Sequence, residues 1–261
     1  MESRIKGKWI LITGASSGIG EGCARKCAAL GANLLLAARR KDRLLALGGE
    51  LTGACGVRIL SRQLDVRDRE DVFRYVEELK EEGIIPDILI NNAGLAAGLG
   101  KLHEGSFEDW DRMMDTNVKG LLNVSRAVIP LMVERNRGHV VNVGSIAGHQ
   151  VYPGGNVYNA SKFAVRALSE GMNADLLGTD IRVSTVSPGA VRTEFSDIRF
   201  HGDREKADRV YDGYTPLSGE DVAECILFII NAPEHVNIQN LIVTPTAQRN
   251  VYCVHRKDKR D

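Results

Sequence analysis

The 261-residue sequence predicts an α/β fold, a doubly wound parallel sheet flanked by helices. Three observations predict it. Short apolar runs alternate with longer amphipathic or Ala-rich stretches along the chain. Most of the short runs are hydrophobic throughout, as parallel strands covered on both faces are. The β-α-β-α rhythm meets no linker, repeat or low-complexity segment, so one domain is expected over residues 1–261.

The elements follow in order. "WILITGA" (9–15) is the first expected strand, and the glycines after it open a helix over 18–30. "NLLLAAR" (33–39) leads into a helix over 41–52, and "RILSRQLDV" (58–66) into a charged helix over 68–82. "DILINNAG" (87–94) precedes a long helical segment, 107–135. "HVVNVGS" (139–145) and "RVSTVSPG" (182–189) flank a helix over 157–177; a helix over 219–231 and "NLIVTP" (240–245) complete the pattern. Residues 194–218, "EFSDIRFHGDREKADRVYDGYTPLS", resist it, being polar, charged and aromatic without a strand signal. Such a stretch is either a plain insertion or a lid, and we read it as a substrate loop.

Composition excludes several function classes. Lys plus Arg and Asp plus Glu both total 34, a formal net charge of zero. That balance gives no electrostatic case for nucleic acid or an acidic membrane as a partner. The terminal "HRKDKRD" mixes signs and is expected to be a solvated tail. Cys23, Cys27, Cys55, Cys225 and Cys253 contain no CxxC pair, so neither a metal site nor a disulfide framework is expected, which suits a reducing cytoplasm. The first residues lack a signal-peptide plan, and "CILFIINA" is too short to span a bilayer.

The chemistry-bearing motifs sit at the strand ends. "TGASSGIG" places Gly14, Gly18 and Gly20, with Ser16, Ser17 and Ile19, between the first strand and the first helix. Glycines there let a pyrophosphate approach the backbone, and N–H groups at the helix start face the anion. At the end of the second strand, where a carboxylate would grip a ribose 2′-hydroxyl, Ala37 and Ala38 offer none. Arg39 and Arg40 offer two guanidiniums that suit a 2′-phosphate, so NADP(H) is predicted over NAD(H). The plainer reading has both arginines merely opening a solvated helix.

"VYNASKFAV" (157–165) sets Tyr158 and Lys162 one helical turn apart. A free phenol titrates near 10; an ammonium about 5 Å away would favour the phenolate by roughly 3 kcal/mol, about two pH units. On that basis Lys162 brings Tyr158 into the range of acid–base catalysis. Tyr152 has only Asn156 four residues on and no such helper. Ser145, at the end of the fifth strand, can hold a substrate oxygen against the phenol, and Asn117 is a poor helix former in the middle of a helical segment.

These motifs in this order resemble the short-chain dehydrogenase/reductase family, strongly over residues 8 to about 194. The resemblance implies a Rossmann fold and a catalytic set of Asn117, Ser145, Tyr158 and Lys162, with Asn117 distorting its helix to hold a proton-relaying water. It implies adenine contacts from Asp65 and Val66 of "LDV" and an adenosine ribose contact near Asn92 of "NNAG". It also implies nicotinamide contacts from "SPGAVRTEF", with Pro188, Gly189, Val191 and Thr193. Further segments, among them "MVERNRGHVVNVGSIAG" and "HVNIQNLIVTPTAQ", resemble the branch of NADP-dependent 3-hydroxy acid dehydrogenases, which implies substrates such as serine, allo-threonine or 3-hydroxypropionate/malonic semialdehyde. Arg192, Arg199 and His201 are candidates for the substrate carboxylate, or else solvated loop residues. A broad-specificity NADPH carbonyl reductase and a non-catalytic NADP(H)-binding regulator are the alternatives. The resemblance also implies a homotetramer, built partly through the segments 107–135 and 157–177.

Overall fold

Most strand runs are apolar on both faces, and the sheet accounts for it: the central strands are buried, while the edge strands Ile59–Gln63 and Asn240–Val243 are part-exposed. In this computed structural model, which describes residues 3–257, strands β1 (Trp9–Thr13), β2 (Asn33–Ala38), β3 (Ile59–Gln63), β4 (Ile88–Asn91), β5 (Gly138–Val143) and β6 (Ile181–Pro188) belong to one sheet. Two-residue strands β7 (Val191–Arg192) and β8 (Leu217–Ser218) pair only with each other, and β9 (Asn240–Val243) returns to the main sheet. Among the described residues the main sheet has seven parallel strands in the order β3-β2-β1-β4-β5-β6-β9. The expected doubly wound α/β fold is what forms. The chain reverses its winding between β1 and β4, and the crevice outside the strand ends there is the place where such sheets bind ligands.

Alternation within the strands divides the core into two layers. Ile10, Ile12, Leu34 and Leu36 face helices α1 (Gly18–Ala29), α2 (Lys41–Cys55) and α9 (Gly219–Ile230), packing with Cys23, Cys27, Leu44 and Ile226. Leu11, Leu35, Leu89 and Val140 face α3 (Arg69–Glu81) and α5 (Leu121–Glu134), packing with Val72, Val76, Val124 and Val128. Burying a Leu or Ile side chain contributes about 1.5–3 kcal/mol, so these layers dominate stability. Burial also raises the Cys27 thiol to about 12, as befits a packing residue.

The expected helix over 107–135 is interrupted. α4 (Phe107–Met114) passes into a wide π turn, Asp115–Gly120, before α5 resumes. A third apolar group, Leu95, Ala97, Met113 and Ala147 with Trp110, Tyr152 and Phe195, packs around Tyr158, which lies on α6 (Asn156–Asp175).

The segment 194–218 is not irregular. It contains α7 (Phe195–Arg199) and α8 (Arg204–Arg209) and ends in β8. Apolar periodicity could not reveal these pieces because polar contacts hold them: Ser196 and Tyr211 share a 2.6 Å hydrogen bond, Tyr211 Oη donates to the Val191 carbonyl at 2.8 Å, and His201 Nε2 lies 3.0 Å from Asp109 Oδ2. The expected solvated tail is likewise tied down as far as it is described. The Lys257 N–H donates to the Gly213 carbonyl at 2.8 Å, and Arg256 donates to the carbonyls of Val210 and Asp212 with its guanidinium over the Tyr214 ring. The His255 N–H donates to the Ala247 carbonyl at 2.8 Å, and residues 258–261 lie outside the described residues. No helix among those residues is long and apolar enough to cross a membrane.

Candidate active site

The ends of β1, β4, β5 and β6 open into a cavity of about 530 Å³ roofed by the 191–218 segment and the tail. Its coenzyme-side wall begins at the glycine turn. Gly14 has φ +65°, and a Cβ there would stand 2.9 Å from Asn92 Nδ2. A Cβ on Gly20 would stand 2.4 Å from the Gly14 carbonyl oxygen, so Gly20 lets helix α1 seat against the turn without itself lining the cavity. Asn92 Nδ2 donates to the carbonyls of Thr13 (2.9 Å) and Gly14 (3.2 Å), while Thr13 Oγ1 accepts from the N–H groups of Asn92 and Ala93. The side chain of Asn92 thus stitches "NNAG" to the glycine turn.

The Ser17 side chain, at the start of α1, makes no capping hydrogen bond among the described residues. Ser17 Oγ accepts instead from Arg40 Nη2 at 2.7 Å, and Ser16 Oγ from Arg40 Nε at 3.2 Å. Arg39 lines the same rim beside Asp65, whose carboxylate takes a two-pronged hydrogen bond from Arg67 that holds it below the usual carboxylate range. Of the expected cofactor residues, Gly14, Ser16, Ser17, Gly18, Ile19, Arg39, Arg40, Asp65, Val66, Asn92, Pro188, Gly189, Val191 and Thr193 all line this one cavity. A glycine-lined pocket at a helix start with two guanidiniums at its rim fits the phosphates of a dinucleotide.

The far end of the cavity holds the acid–base groups. Tyr158, Lys162 and Ser145 line it; Asn117 does not. Asn117 lies in the π turn, where its side chain accepts from the Leu95 N–H (2.8 Å) and donates to the Leu95 carbonyl (2.8 Å) and Ser161 Oγ (3.0 Å). Ser161 Oγ in turn donates to the Tyr158 carbonyl at 2.8 Å, so the amide of Asn117 braces the turn of α6 that carries Tyr158. Lys162 Nζ donates to the Val143 carbonyl at 3.0 Å and stands 5.9 Å from the centre of the Tyr158 ring.

The electrostatics correct the sequence reading. Tyr158 is not lowered by Lys162. Burial raises its phenol well above 10, reinforced by Tyr152 and opposed by a hydrogen bond with Ser145 and by Arg199. Lys162 is itself pushed down to about 8 by burial. Taking a phenolate out of water costs more here than the hydrogen bond with Ser145 and the charge of Arg199 return. Tyr152 also departs from expectation, because it has a cation partner after all. Arg199 Nη2 donates to Tyr152 Oη at 2.8 Å and the guanidinium sits over both tyrosine rings, 5.3 Å from the centre of Tyr152 and 5.7 Å from that of Tyr158.

The three carboxylate candidates separate. Arg199 lines the cavity, and its buried Nε lacks a hydrogen-bond partner among the described residues. Arg192 points to Asp208 (2.9 Å), His201 pairs with Asp109, and neither reaches the cavity. Sequence reasoning missed Phe195, Gln248, Val254 and Arg256 as lining residues. Gln248 gave no signal, although its Oε1 accepts from the Ala190 N–H at 2.8 Å and fixes the turn after β6.

Comparisons with known proteins give the chain's family and fold relatives. A sequence model described as short chain dehydrogenase matches residues 8–203. The NADP-dependent 3-hydroxy acid dehydrogenase of Salmonella typhi is 46% identical over 240 residues, 92% of this chain and 95% of the relative. A protein of the same name from Schizosaccharomyces pombe is 43% identical over 256 residues, 98% of this chain and 99% of its own. Among solved structures, the closed form of serine dehydrogenase complexed with NADP+ superposes with a TM-score of 0.88 at 43% identity, covering 95% of this chain and all of that one. The serine dehydrogenase of Escherichia coli gives 0.79 at 40%, covering 92% and 99%.

Proposed function

The chain belongs to the short-chain dehydrogenase family, and from that premise we propose that it interconverts the hydroxyl and carbonyl forms of small 3-hydroxy acids with NADP(H). The glycine turn, Arg39 and Arg40 would hold the coenzyme phosphates, Asp65, Val66 and Asn92 its adenosine, and Pro188, Gly189, Val191 and Thr193 its nicotinamide end. Bound there, the nicotinamide supplies or accepts the hydride. Ser145 orients the reacting oxygen. Tyr158, kept protonated by burial, gives its proton to that oxygen in reduction. Lys162, near 8, exchanges protons around neutral pH and restores the phenol. Asn117 keeps the Tyr158 turn in place.

One observation favours a carboxylate-bearing substrate over a plain ketone: Arg199 lines the cavity with its guanidinium over the ring of Tyr158. A guanidinium on the cavity wall can take a carboxylate in charge-assisted hydrogen bonds, which a plain ketone does not offer. The decisive experiment assays serine, allo-threonine, 3-hydroxypropionate, 3-hydroxyisobutyrate and simple ketones with both coenzymes. Turnover of 3-hydroxy acids with NADP+ and little with NAD+ is expected. Equal rates on ketones would favour a broad carbonyl reductase, and coenzyme binding with no turnover a regulator.

We also propose a homotetramer in the cytoplasm. Phe107 and Phe163 beside α4 and α6 are exposed, as are Phe228 and Ile242 on α9 and β9, and these two faces suit two subunit contacts. A monomeric mass by light scattering at micromolar concentration would refute it.

A further inference from the structure

Glu194 has no part in the roles above, yet both of its carboxylate oxygens are engaged. Oε2 accepts from Arg40 Nη1 and Oε1 from Arg43 Nη1, each at 2.7 Å. Arg40 is the same guanidinium that reaches Ser16 and Ser17 of the glycine turn. One arginine at the position suited to a 2′-phosphate therefore already holds an anion, and that anion comes from the residue immediately before α7.

Helix α7 links the two ends of the cavity. Immediately after Glu194, Phe195 packs edge-on against Tyr158, with ring centres 5.6 Å apart. At the other end of the helix Arg199 covers Tyr158 and Tyr152. Immediately before Glu194, Thr193 rests on the glycine turn, its methyl carbon 3.1 Å from where a Cβ on Gly18 would stand. Glu194 is thus joined, through one five-residue helix, to the groups that shape the substrate end.

We propose that Glu194 is a latch: its carboxylate stands in for the coenzyme 2′-phosphate on Arg40, and arrival of that phosphate frees α7 to settle on the substrate. The latch rests on the NADP(H) reading, because a bare 2′-hydroxyl has no charge with which to displace a carboxylate. Two anions against one guanidinium repel, so the phosphate displaces Glu194 from Arg40 and leaves it with the exposed Arg43. The side chains of Arg40, Arg43 and Glu194 are 42%, 51% and 39% exposed, and ion pairs so exposed are weak. A displaceable anion has to be held that way. Glu194 is then a positioning residue, and the substrate site responds to which coenzyme is bound.

The test uses adenosine 2′,5′-bisphosphate and AMP as probes, titrated into the coenzyme-free full chain as wild type and as Glu194→Gln, with hydrogen exchange of residues 195–199 followed alongside. The bisphosphate should bind Glu194→Gln about fivefold more tightly than wild type, while AMP binds both equally. It should also speed exchange across 195–199 in wild type and leave the variant unchanged. Unaltered or weaker bisphosphate affinity in the variant, or the same exchange response in both proteins, overturns the latch and leaves the coenzyme reading standing. Equal binding of bisphosphate and AMP by wild type overturns the coenzyme reading, and the latch falls with it.

Discussion

The floor and the roof of the cavity are held by different forces. Beneath it, the strand ends rest on side chains such as Ile10, Leu35, Leu89 and Val140, all fully buried and packed between the sheet and its helices. Above it, residues 191–218 and the tail are joined by the Ser196–Tyr211–Val191 chain, the His201–Asp109 pair, the Arg40–Glu194–Arg43 group and the Arg256 contacts. Dry packing is strong and lacks alternatives, whereas exposed polar contacts are individually worth about 1 kcal/mol or less and exchange readily with water or ligand. A rigid floor can fix a coenzyme and a proton donor; a weakly held roof can respond to them.

The two tyrosines provide the sharpest way to break that division: Tyr158 stands on the long helix α6, whereas Tyr152 is hydrogen-bonded to the roof through Arg199. Tyr158→Phe should lower kcat by about a thousandfold, within the usual range for losing a general acid, with NADPH affinity unchanged. Tyr152→Phe should keep kcat within about tenfold and raise KM. Comparable kcat losses in the two variants would mean that roof and floor share the chemistry.

Stability gives the next largest contrast. Leu35→Ala opens a hole between β2 and the helices beneath it and should destabilise by about 2–5 kcal/mol. For a chain of this size that is a fall in Tm of roughly 10 °C. Thermal unfolding measures it, and a fall below about 2 °C would show that the packed layer is not what holds the floor.

The same contrast explains what was legible in the sequence. The runs 9–15, 33–39 and 139–145 announce strands because most of their side chains are apolar and packed in the core, so composition carries the signal, although His139 and Asn142 sit in that core on polar partners, Ser184 and Asn91. The glycine turn and the Tyr158–Lys162 spacing are legible because the groups that must meet lie close in the chain. Arg199 and Tyr152 are 47 residues apart, and Arg40 and Glu194 are 154 apart. Nothing local in the sequence says that they meet. The π turn at Asp115–Gly120 left one trace, the poor helix former Asn117, but the partners that make it useful, Leu95 and Ser161, come from other elements. The expected lowering of Tyr158 by Lys162 failed for a different reason: spacing fixes distance but not solvation.

Lys162 sharpens that point with a smaller effect of unusual sign. Its ammonium, near 8 against 10.5 when solvated, is disfavoured by burial. The penalty is therefore fully present below pH 8, shrinks as the unfolded chain alone stays protonated between pH 8 and 10.5, and is gone above that. Its full size is about 3 kcal/mol, offset in part by the hydrogen bond to the Val143 carbonyl. Lys162→Met should thus be more stable than wild type at pH 7 by about 1–2 kcal/mol, seen as a higher unfolding temperature, while losing activity. The gap should narrow from pH 8 to 10; because tyrosines and thiols titrate alike in both proteins, the difference isolates this amine. A variant less stable than wild type at pH 7 would mean that the floor gains from the charge.

The smallest effect tests the roof. Arg256 donates to the carbonyls of Val210 and Asp212 and lies over Tyr214, all at exposed or half-buried positions, so Arg256→Ala should change stability by less than about 1 kcal/mol, or roughly 2–4 °C in Tm. It should nonetheless loosen the segment that carries α8, because that segment has little apolar packing of its own beyond Ala207 and Tyr211. Cleavage by a protease within 200–214 should quicken severalfold in the absence of ligands, and the substrate KM should rise about threefold with kcat nearly unchanged, since local opening raises the cost of ordering the site without touching the reacting groups. A large fall in Tm would assign the tail to the core. An unchanged cleavage rate would mean that the remaining roof contacts suffice, and that Arg256 is simply a cation resting on an aromatic ring.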